Sequence, residues 1–129
     1  MSSVVLDASA LIALLKEEPG ADKVAEVVRS ALLGAVNLAE VVSHFIHAGM
    51  PASGVDAMLR PLPIEVVPVD ADLAREAGYL RTATAKAGLS LGDRFCLALA
   101  KRENLAAWTT DRQWREIAGA SGVEIVIIR

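Results

Sequence analysis

Short apolar runs alternate with longer runs of helical spacing from one end of the chain to the other. Continuous runs rich in Val, Ile and Leu are typical of strands buried in a parallel sheet, and they predict strands at 4–6, 32–36, 64–67, 105–109 and 123–128. Amphipathic or small-residue runs predict helices at 8–16, 21–30, 38–48, 53–60, 71–86, 91–103 and 111–118. Because strands alternate with helices throughout, we expect parallel pairing through right-handed crossovers.

Polar residues mark the starts of several predicted helices. Asp70 and Ser90 stand where N-caps are expected, because a short polar side chain accepts hydrogen bonds from the free N–H groups of the first turn. The pairs Asn37/Glu40 and Ser90/Asp93 both have the spacing of a capping box. The spacing therefore predicts that Asn37 caps the helix 38–48 and that Ser90 caps the helix 91–103.

Composition and charge exclude several classes of protein. The 129 residues are 53% hydrophobic and 4% aromatic, so we expect one domain, 1–129, with a core of Ala, Val and Leu. A net charge of −3 provides no overall basic signature for nucleic-acid binding. The single cysteine, Cys96, excludes an intrachain disulfide. No apolar run approaches the roughly 20 residues of a membrane span, and Asp7 interrupts the place of a signal peptide's apolar segment, so we expect a cytoplasmic protein with no membrane association.

Four acidic residues stand where a strand ends or a helix begins. Asp7 ends the first strand and Asp111 follows the fourth, whereas Glu40 and Asp93 fall in the first turns of predicted helices. Strand ends and helix starts meet at one edge of a parallel sheet, here termed the carboxyl edge, where such folds bind their ligands. We expect Asp7, Glu40 and Asp111 to converge there, and Asp93 to join them if its helix starts at the same edge. Each acid also has a structural explanation, as a helix cap or as a charge that favours the helix dipole.

Converging carboxylates predict a cation site. Two negative charges about 4 Å apart repel by roughly 4 kcal/mol at an effective dielectric constant of about 20, and such a cluster takes up protons or binds a cation. The candidate ligands are all oxygen donors, which suit Mg²⁺ or Mn²⁺ better than Zn²⁺. A hard cation at the carboxyl edge indicates phosphoryl chemistry, because it activates water and neutralises charge on phosphate oxygens.

Four short motifs resemble those of PIN-domain ribonucleases and, within that group, those of VapC-type toxins from toxin–antitoxin pairs. The matching segments are Val5-Leu6-Asp7-Ala8-Ser9-Ala10, Asn37-Leu38-Ala39-Glu40-Val41, Leu91-Gly92-Asp93 and Thr109-Thr110-Asp111-Arg112. Each motif is weak alone, but their order and spacing cover almost the whole chain. The resemblance implies a three-layer α/β/α fold with a mainly parallel five-stranded sheet in the order 3-2-1-4-5.

The resemblance also implies a site and an activity. The site is a Mg²⁺ or Mn²⁺ centre whose acidic residues are Asp7, Glu40, Asp93 and Asp111. Ser9 and Thr110 match polar positions that steady the acids or bound water. The activity is that of a metal-dependent endoribonuclease toxin, with tRNA, rRNA or mRNA as substrate. Such proteins are typically homodimers and are neutralised by a cognate antitoxin protein.

Positive charge lies beside two of the acids although the total charge is negative. Arg94 follows Asp93 and Arg112 follows Asp111, so both arginines are candidate contacts to RNA phosphates. The alternative for each is a solvated position on a helix surface.

Two other functions fit parts of the pattern. An aspartyl-phosphate phosphotransferase would use Asp7 as its nucleophile, but that chemistry expects a second acid where Ser9 stands and a lysine near a later strand end. A non-catalytic PIN-like module that binds RNA or protein would keep the acids only as a scaffold. A phosphorylated Asp7 would identify the first, and metal binding without RNA cleavage would identify the second.

Overall fold

Five parallel strands form one sheet in the order β3-β2-β1-β4-β5. The computed structural model describes residues 1–129. The strands are Val4–Leu6 (β1), Ala31–Gly34 (β2), Glu65–Val67 (β3), Ala106–Thr109 (β4) and Ile125–Ile127 (β5). β1 is central, and Val4 pairs with Ala31 on one side and with Ala106 on the other. The expected fold class and strand order are confirmed.

Helices cover both faces of the sheet. They are Ala8–Leu15 (α1), Ala21–Val27 (α2), Ala35–His47 (α3), Ala52–Leu59 (α4), Ala71–Tyr79 (α5), Arg81–Thr84 (α6), Leu91–Glu103 (α7) and Ala118–Ser121 (α8). Three short 3₁₀ helices occupy Val28–Ser30, Ala85–Ala87 and Arg112–Ile117. No helix combines the length and the apolar character that crossing a bilayer requires.

The central strand supplies both halves of the hydrophobic core. Successive side chains of a strand point to opposite faces, so Val5 packs on one face while Val4 and Leu6 pack on the other. The first face is covered by α5 and α7, with Leu73, Leu97, Leu99 and Trp114 among its buried residues. The second is covered by α1 to α4, with Leu11, Val24, Val41 and Val55 among them. The result is the three-layer α/β/α arrangement.

Helix α3 begins earlier than its sequence indicates. It starts at Ala35, directly after β2, with Gly34 at its N-cap, so Asn37 lies inside the first turn. The predicted capping box of Asn37 and Glu40 is wrong, because Asn37 Nδ2 donates to Glu40 Oε1 (2.8 Å) instead of its side chain capping a backbone N–H. Glu40 consequently lies in the second turn of α3.

The other predicted caps are confirmed. Ser90 Oγ accepts a hydrogen bond from the Asp93 N–H (3.2 Å), and Asp93 Oδ2 accepts one from the Ser90 N–H (2.9 Å), which completes a capping box at the start of α7. Asp70 Oδ1 accepts a hydrogen bond from the Leu73 N–H (2.8 Å) and caps α5.

Two predicted helices are divided into shorter pieces. The helix predicted at 71–86 is α5, α6 and a 3₁₀ turn, which together bring Leu80, Thr84 and Ala87 into the core. Together with Leu73 and Ala77 these residues keep the spacing of one helix face, so the divided helix still presents a single buried face to the core. The helix predicted at 111–118 is the 3₁₀ helix 112–117 followed by α8, which buries Trp114 and Ile117.

The starts of α1, α3 and α7 share the carboxyl edge. α1 follows β1 after Asp7, and α3 follows β2 without a linker. α7 is not preceded by a strand, but Asn37 Nδ2 in the first turn of α3 donates to the Gly92 carbonyl in the first turn of α7 (3.0 Å). This contact places the Asp93 region at the same edge as Asp7.

Candidate active site

Asp7 is a buried carboxylate at the end of the central strand. It is 4% exposed. Its Oδ2 accepts hydrogen bonds from Ser9 Oγ (2.6 Å) and Thr109 Oγ1 (3.0 Å). Burial raises the pKa of Asp7 from 3.8 to about 6; the two hydroxyl groups lower this pKa and the charges of Asp93 and Glu40 raise it. Asp7 is therefore held in a position where its charged form is disfavoured.

Thr109, rather than Thr110, supplies the second hydroxyl group. Thr109 is fully buried, and its Oγ1 also accepts a hydrogen bond from the Asp111 N–H (3.1 Å). Thr110 contributes its backbone N–H, which donates to Ser9 Oγ (3.1 Å). Sequence reasoning missed Thr109. Because neighbouring strand residues face opposite ways, knowledge of which face of β4 meets Asp7 would have distinguished the two threonines.

Glu40 approaches the site from α3 and is half-buried. Burial raises its pKa, the hydrogen bond from Asn37 lowers it, and the charge of Asp93 raises it. Glu40 also lines an open groove of about 520 Å³ along α3, with Ser43 and His44 further along. Glu40 thus lies between the buried Asp7 and a surface open to a large ligand.

Asp93 and Asp111 complete the acidic cluster. Burial raises the pKa of Asp93; its hydrogen bonds with Ser90 lower this pKa, the charge of Asp111 raises it and that of Arg94 lowers it. Asp111 is half-buried, and its Oδ1 accepts a hydrogen bond from the Gln113 N–H (2.9 Å) at the start of the 3₁₀ helix 112–117. The four acids that the sequence places at separate junctions therefore act on one another electrostatically.

In each carboxylate one oxygen accepts a hydrogen bond from the protein and the other accepts none. The hydrogen-bonded oxygens are Asp7 Oδ2, Glu40 Oε1, Asp93 Oδ2 and Asp111 Oδ1. The other four oxygens form a hard donor set suited to Mg²⁺ or Mn²⁺. No group of three or more Asp, Glu, His or Cys side chains is already close enough to hold a metal ion. The donors fit a cation, and binding one requires these side chains to move together.

The candidate arginines occupy different surroundings. Arg94 is half-buried, its Nε donates to the Ser90 carbonyl (3.4 Å), and it lines a cavity of about 120 Å³ with Arg81 and Thr84. Arg112 is exposed, and its Nε donates to the Arg129 carbonyl (3.4 Å). The charge of Arg94 lowers the pKa of Asp93.

Cys96 lies on α7 but has no exposed surface. Burial raises the pKa of its thiol, and the charges of Asp7, Asp93 and Glu40 raise it further. Since the thiolate is the reactive form, Cys96 is unsuited to act as a nucleophile or a metal ligand.

The chain belongs to the PIN domain family, which its residues 4–120 match. This match confirms the family resemblance of the four sequence motifs. No curated protein matches the chain by sequence.

Solved structures of toxin–antitoxin proteins are similar in fold. A toxin–antitoxin complex from Klebsiella pneumoniae has a TM-score of 0.72 and 19% identity, with 98% of this chain and 98% of that chain covered. The DNA-bound VapBC of Salmonella typhimurium has a TM-score of 0.77 and 18% identity, with 98% of each chain covered. VapC20 of Mycobacterium tuberculosis, a toxin that cleaves the sarcin–ricin loop, has a TM-score of 0.76 and 19% identity, with 98% of this chain and 99% of that chain covered. At such identities the similarity establishes the fold.

Proposed function

We propose that this chain is a divalent-metal-dependent endoribonuclease and the toxin of a toxin–antitoxin pair. PIN domains are typically nucleases that use divalent metal ions, which supports the enzyme class. The observation that carries the proposal is the buried Asp7 carboxylate, whose pKa is raised to about 6 by burial and by neighbouring acids. Maintaining such a group lowers stability, and strongly perturbed carboxylates in a cluster are typical of functional sites. The toxins of similar fold support the toxin role.

The four acids have different parts in the proposed reaction. Asp7 and Asp93 would be the main metal ligands, and Glu40 and Asp111 would complete the metal site. Glu40 is half-buried with a raised pKa, so it is suited to orient the attacking water and to accept its proton. Bound at these residues, Mg²⁺ or Mn²⁺ would supply a more acidic water and would neutralise charge on the phosphate. Hydrolysis would leave a 5′-phosphate and a 3′-hydroxyl group.

The hydroxyl groups around Asp7 hold its carboxylate in one orientation for metal binding. Ser9 and Thr109 both donate to Oδ2, which favours the charged form and fixes the plane of the carboxylate. Oδ1 is left for the cation. The Thr110 N–H orients Ser9 through its own hydrogen bond, so a network of backbone and side-chain donors determines which oxygen is available.

RNA is the proposed substrate, as tRNA, rRNA or mRNA. Its phosphates need positive charge close to the acids. Arg94 meets this need best, because it lies beside Asp93 and shares a concave surface with Arg81. Arg112 is the second candidate and would contact a phosphate farther from the site.

The proposed protein partners are a cognate antitoxin and a second copy of the chain in a homodimer, both in the cytoplasm. An apolar groove of about 470 Å³ between α1, α3, α4 and β3 supports a docking site for the antitoxin. Asp56 and Arg60 are the charged residues of that groove. Large exposed apolar side chains such as Tyr79 (68% exposed) and Leu91 (54% exposed) support a further subunit contact.

Cleavage of a structured total-RNA pool by purified protein tests the enzyme assignment. We expect cuts at few sites in Mg²⁺ or Mn²⁺ and none in chelator. Asp93→Asn should abolish the cuts. Asp72→Asn is the matched control, because Asp72 pairs with Arg75 on the exposed surface of α5. This variant should cleave RNA as the wild type does.

Each alternative outcome has a distinct meaning. Cleavage by Asp93→Asn at the wild-type rate would refute the proposed site. Binding of Mn²⁺ without cleavage of any RNA would favour a non-catalytic binding module. Formation of a phosphorylated Asp7 from a small phosphodonor would favour a phosphotransferase.

A further inference from the structure

Two uncharged residues hold the Glu40 carboxylate against the start of α7. Asn37 has no exposed surface, and its Nδ2 donates both to Glu40 Oε1 (2.8 Å) and to the Gly92 carbonyl oxygen (3.0 Å). One amide group therefore joins a side chain of α3 to the backbone of α7. The two helices are in contact along this boundary.

Gly92 leaves the space into which the Glu40 carboxylate fits. A Cβ at this position would lie 2.5 Å from Glu40 Cδ and 2.6 Å from Oε1, and closer still to Oε2. Gly92 lies inside α7 and has no positive φ, so its backbone conformation does not require glycine. Glycine also weakens a helix relative to alanine. The close approach of Glu40 is the structural reason for glycine here.

Asn37 is not explained by stability alone. Its Oδ1 is buried without a hydrogen-bond partner and faces Gly34, where a Cβ would lie 3.2 Å away. A buried, unpaired acceptor is unfavourable, and an apolar side chain would avoid it. The two contacts of Nδ2 account for an amide at this position, because an apolar residue would provide neither.

We propose that Asn37 and Gly92 are positioning residues for Glu40, which together hold its carboxylate at the carboxyl edge for metal binding and hydrolysis. The assignment rests on the proposed function, since it gives the held carboxylate its role. Glu40, Asp93 and Asp7 repel one another, so a flexible glutamate would otherwise turn away into the open groove beside α3. Asn37 opposes that rotation by a hydrogen bond, and Gly92 provides the space.

Mn²⁺ titration of three variants tests the role in the site. Asn37→Ala and Gly92→Ala should each weaken Mn²⁺ binding by about 10- to 100-fold, the usual effect of removing a residue that orients a ligand. Gly92→Ala should still fold, because the end of the Glu40 side chain can swing away from the new methyl group. Gly78→Ala is the matched control, since Gly78 lies in α5 with open space around it and should bind Mn²⁺ as the wild type does.

A double-mutant cycle without metal tests whether the effect acts through Glu40. Gly92→Ala should raise the thermal midpoint in a Glu40→Ala background, where the methyl group meets no carboxylate and alanine favours the helix. In the wild-type background this gain should be reduced or lost. Asn37→Ala should likewise lower the midpoint more when Glu40 is present than when it is absent.

The two measurements separate this inference from the proposed function. Unchanged Mn²⁺ affinity in Asn37→Ala and Gly92→Ala would overturn it, as would midpoint changes that are identical with and without Glu40. If the wild type binds no Mn²⁺, the proposed metal site fails. The metal-free cycle then decides by itself whether Asn37 and Gly92 hold Glu40 in place.

Discussion

Replacing Asp7 with asparagine is expected to stabilise the metal-free protein at neutral pH. Asparagine has nearly the shape of aspartate and retains an oxygen that can accept hydrogen bonds from Ser9 and Thr109. It carries no charge, so the unfavourable burial of the carboxylate disappears. The variant separates the electrostatic effect from the effect of packing.

The magnitude follows from the pKa of Asp7, which burial raises from 3.8 to about 6. The folded state therefore keeps a proton that the unfolded chain has already released, and stability falls as the pH rises through this interval. The shift corresponds to about 3 kcal/mol at pH 7 and above, and to about 1 kcal/mol at pH 4.5. In chelator, the free energy of unfolding of Asp7→Asn should therefore be larger than that of the wild type by these amounts.

Urea unfolding followed by tryptophan fluorescence measures this difference from pH 4.5 to pH 8. Trp114 is fully buried and reports the loss of the core. In Mn²⁺ at about 1,000 times its Kd the order should reverse, because the bound ion stabilises the wild type by about 4.1 kcal/mol. This gain exceeds the cost of the buried charge, and the variant has lost a metal ligand.

A difference in the free energy of unfolding that stays constant from pH 4.5 to pH 8 would refute the reasoning. It would show that Asp7 does not change its protonation differently in the folded and unfolded states. A variant less stable than the wild type at pH 8 in chelator would show that hydrogen bonds of the ionised carboxylate outweigh its burial.

Three other outcomes follow from the site. Thr109→Val should lower the free energy of unfolding by about 1–3 kcal/mol, because Asp7 Oδ2 and the Asp111 N–H each lose a buried hydrogen-bond partner. Thr110→Val removes a side chain that makes no hydrogen bond, so it should change this free energy by less than about 0.5 kcal/mol in the same urea assay. Arg94→Gln should weaken RNA binding and reduce the salt dependence of the binding constant by about one phosphate contact, measured by fluorescence anisotropy in chelator; Arg29→Gln, ahead of β2 at the opposite edge of the sheet, should leave both unchanged. Cys96, with no exposed surface and a raised thiol pKa, should react with iodoacetamide only as fast as the protein unfolds.

The strands and the acidic junctions could be predicted because their signals are local. A short apolar run that ends in Asp7 identifies both a buried strand and a carboxylate at its end. The Ser90 and Asp93 capping box was predictable for the same reason, since both partners lie within one helical turn. The alternation of such segments determined the parallel sheet.

Local signals were misleading where distant contacts override them. Asn37 and Glu40 have the spacing of a capping box, but α3 begins at Ala35, and the Asn37 amide donates both to Glu40 and to the Gly92 carbonyl, 55 residues away. The helix predicted after Asp70 is divided into α5, α6 and a 3₁₀ turn, although its buried residues keep the spacing of one helix face. Propensity describes a segment in isolation, whereas burial depends on what packs against it.

The sequence by itself determined the fold class and the four acids that the chain places at strand ends and helix starts. Only the tertiary structure decided that Thr109 and not Thr110 meets Asp7, a contact between residues 102 positions apart. It also decided that Gly92 leaves space for Glu40. The physical reason is that hydrophobic periodicity acts over a few residues, while the choice of donor and the fit of a carboxylate depend on strand register and helix packing between distant parts of the chain.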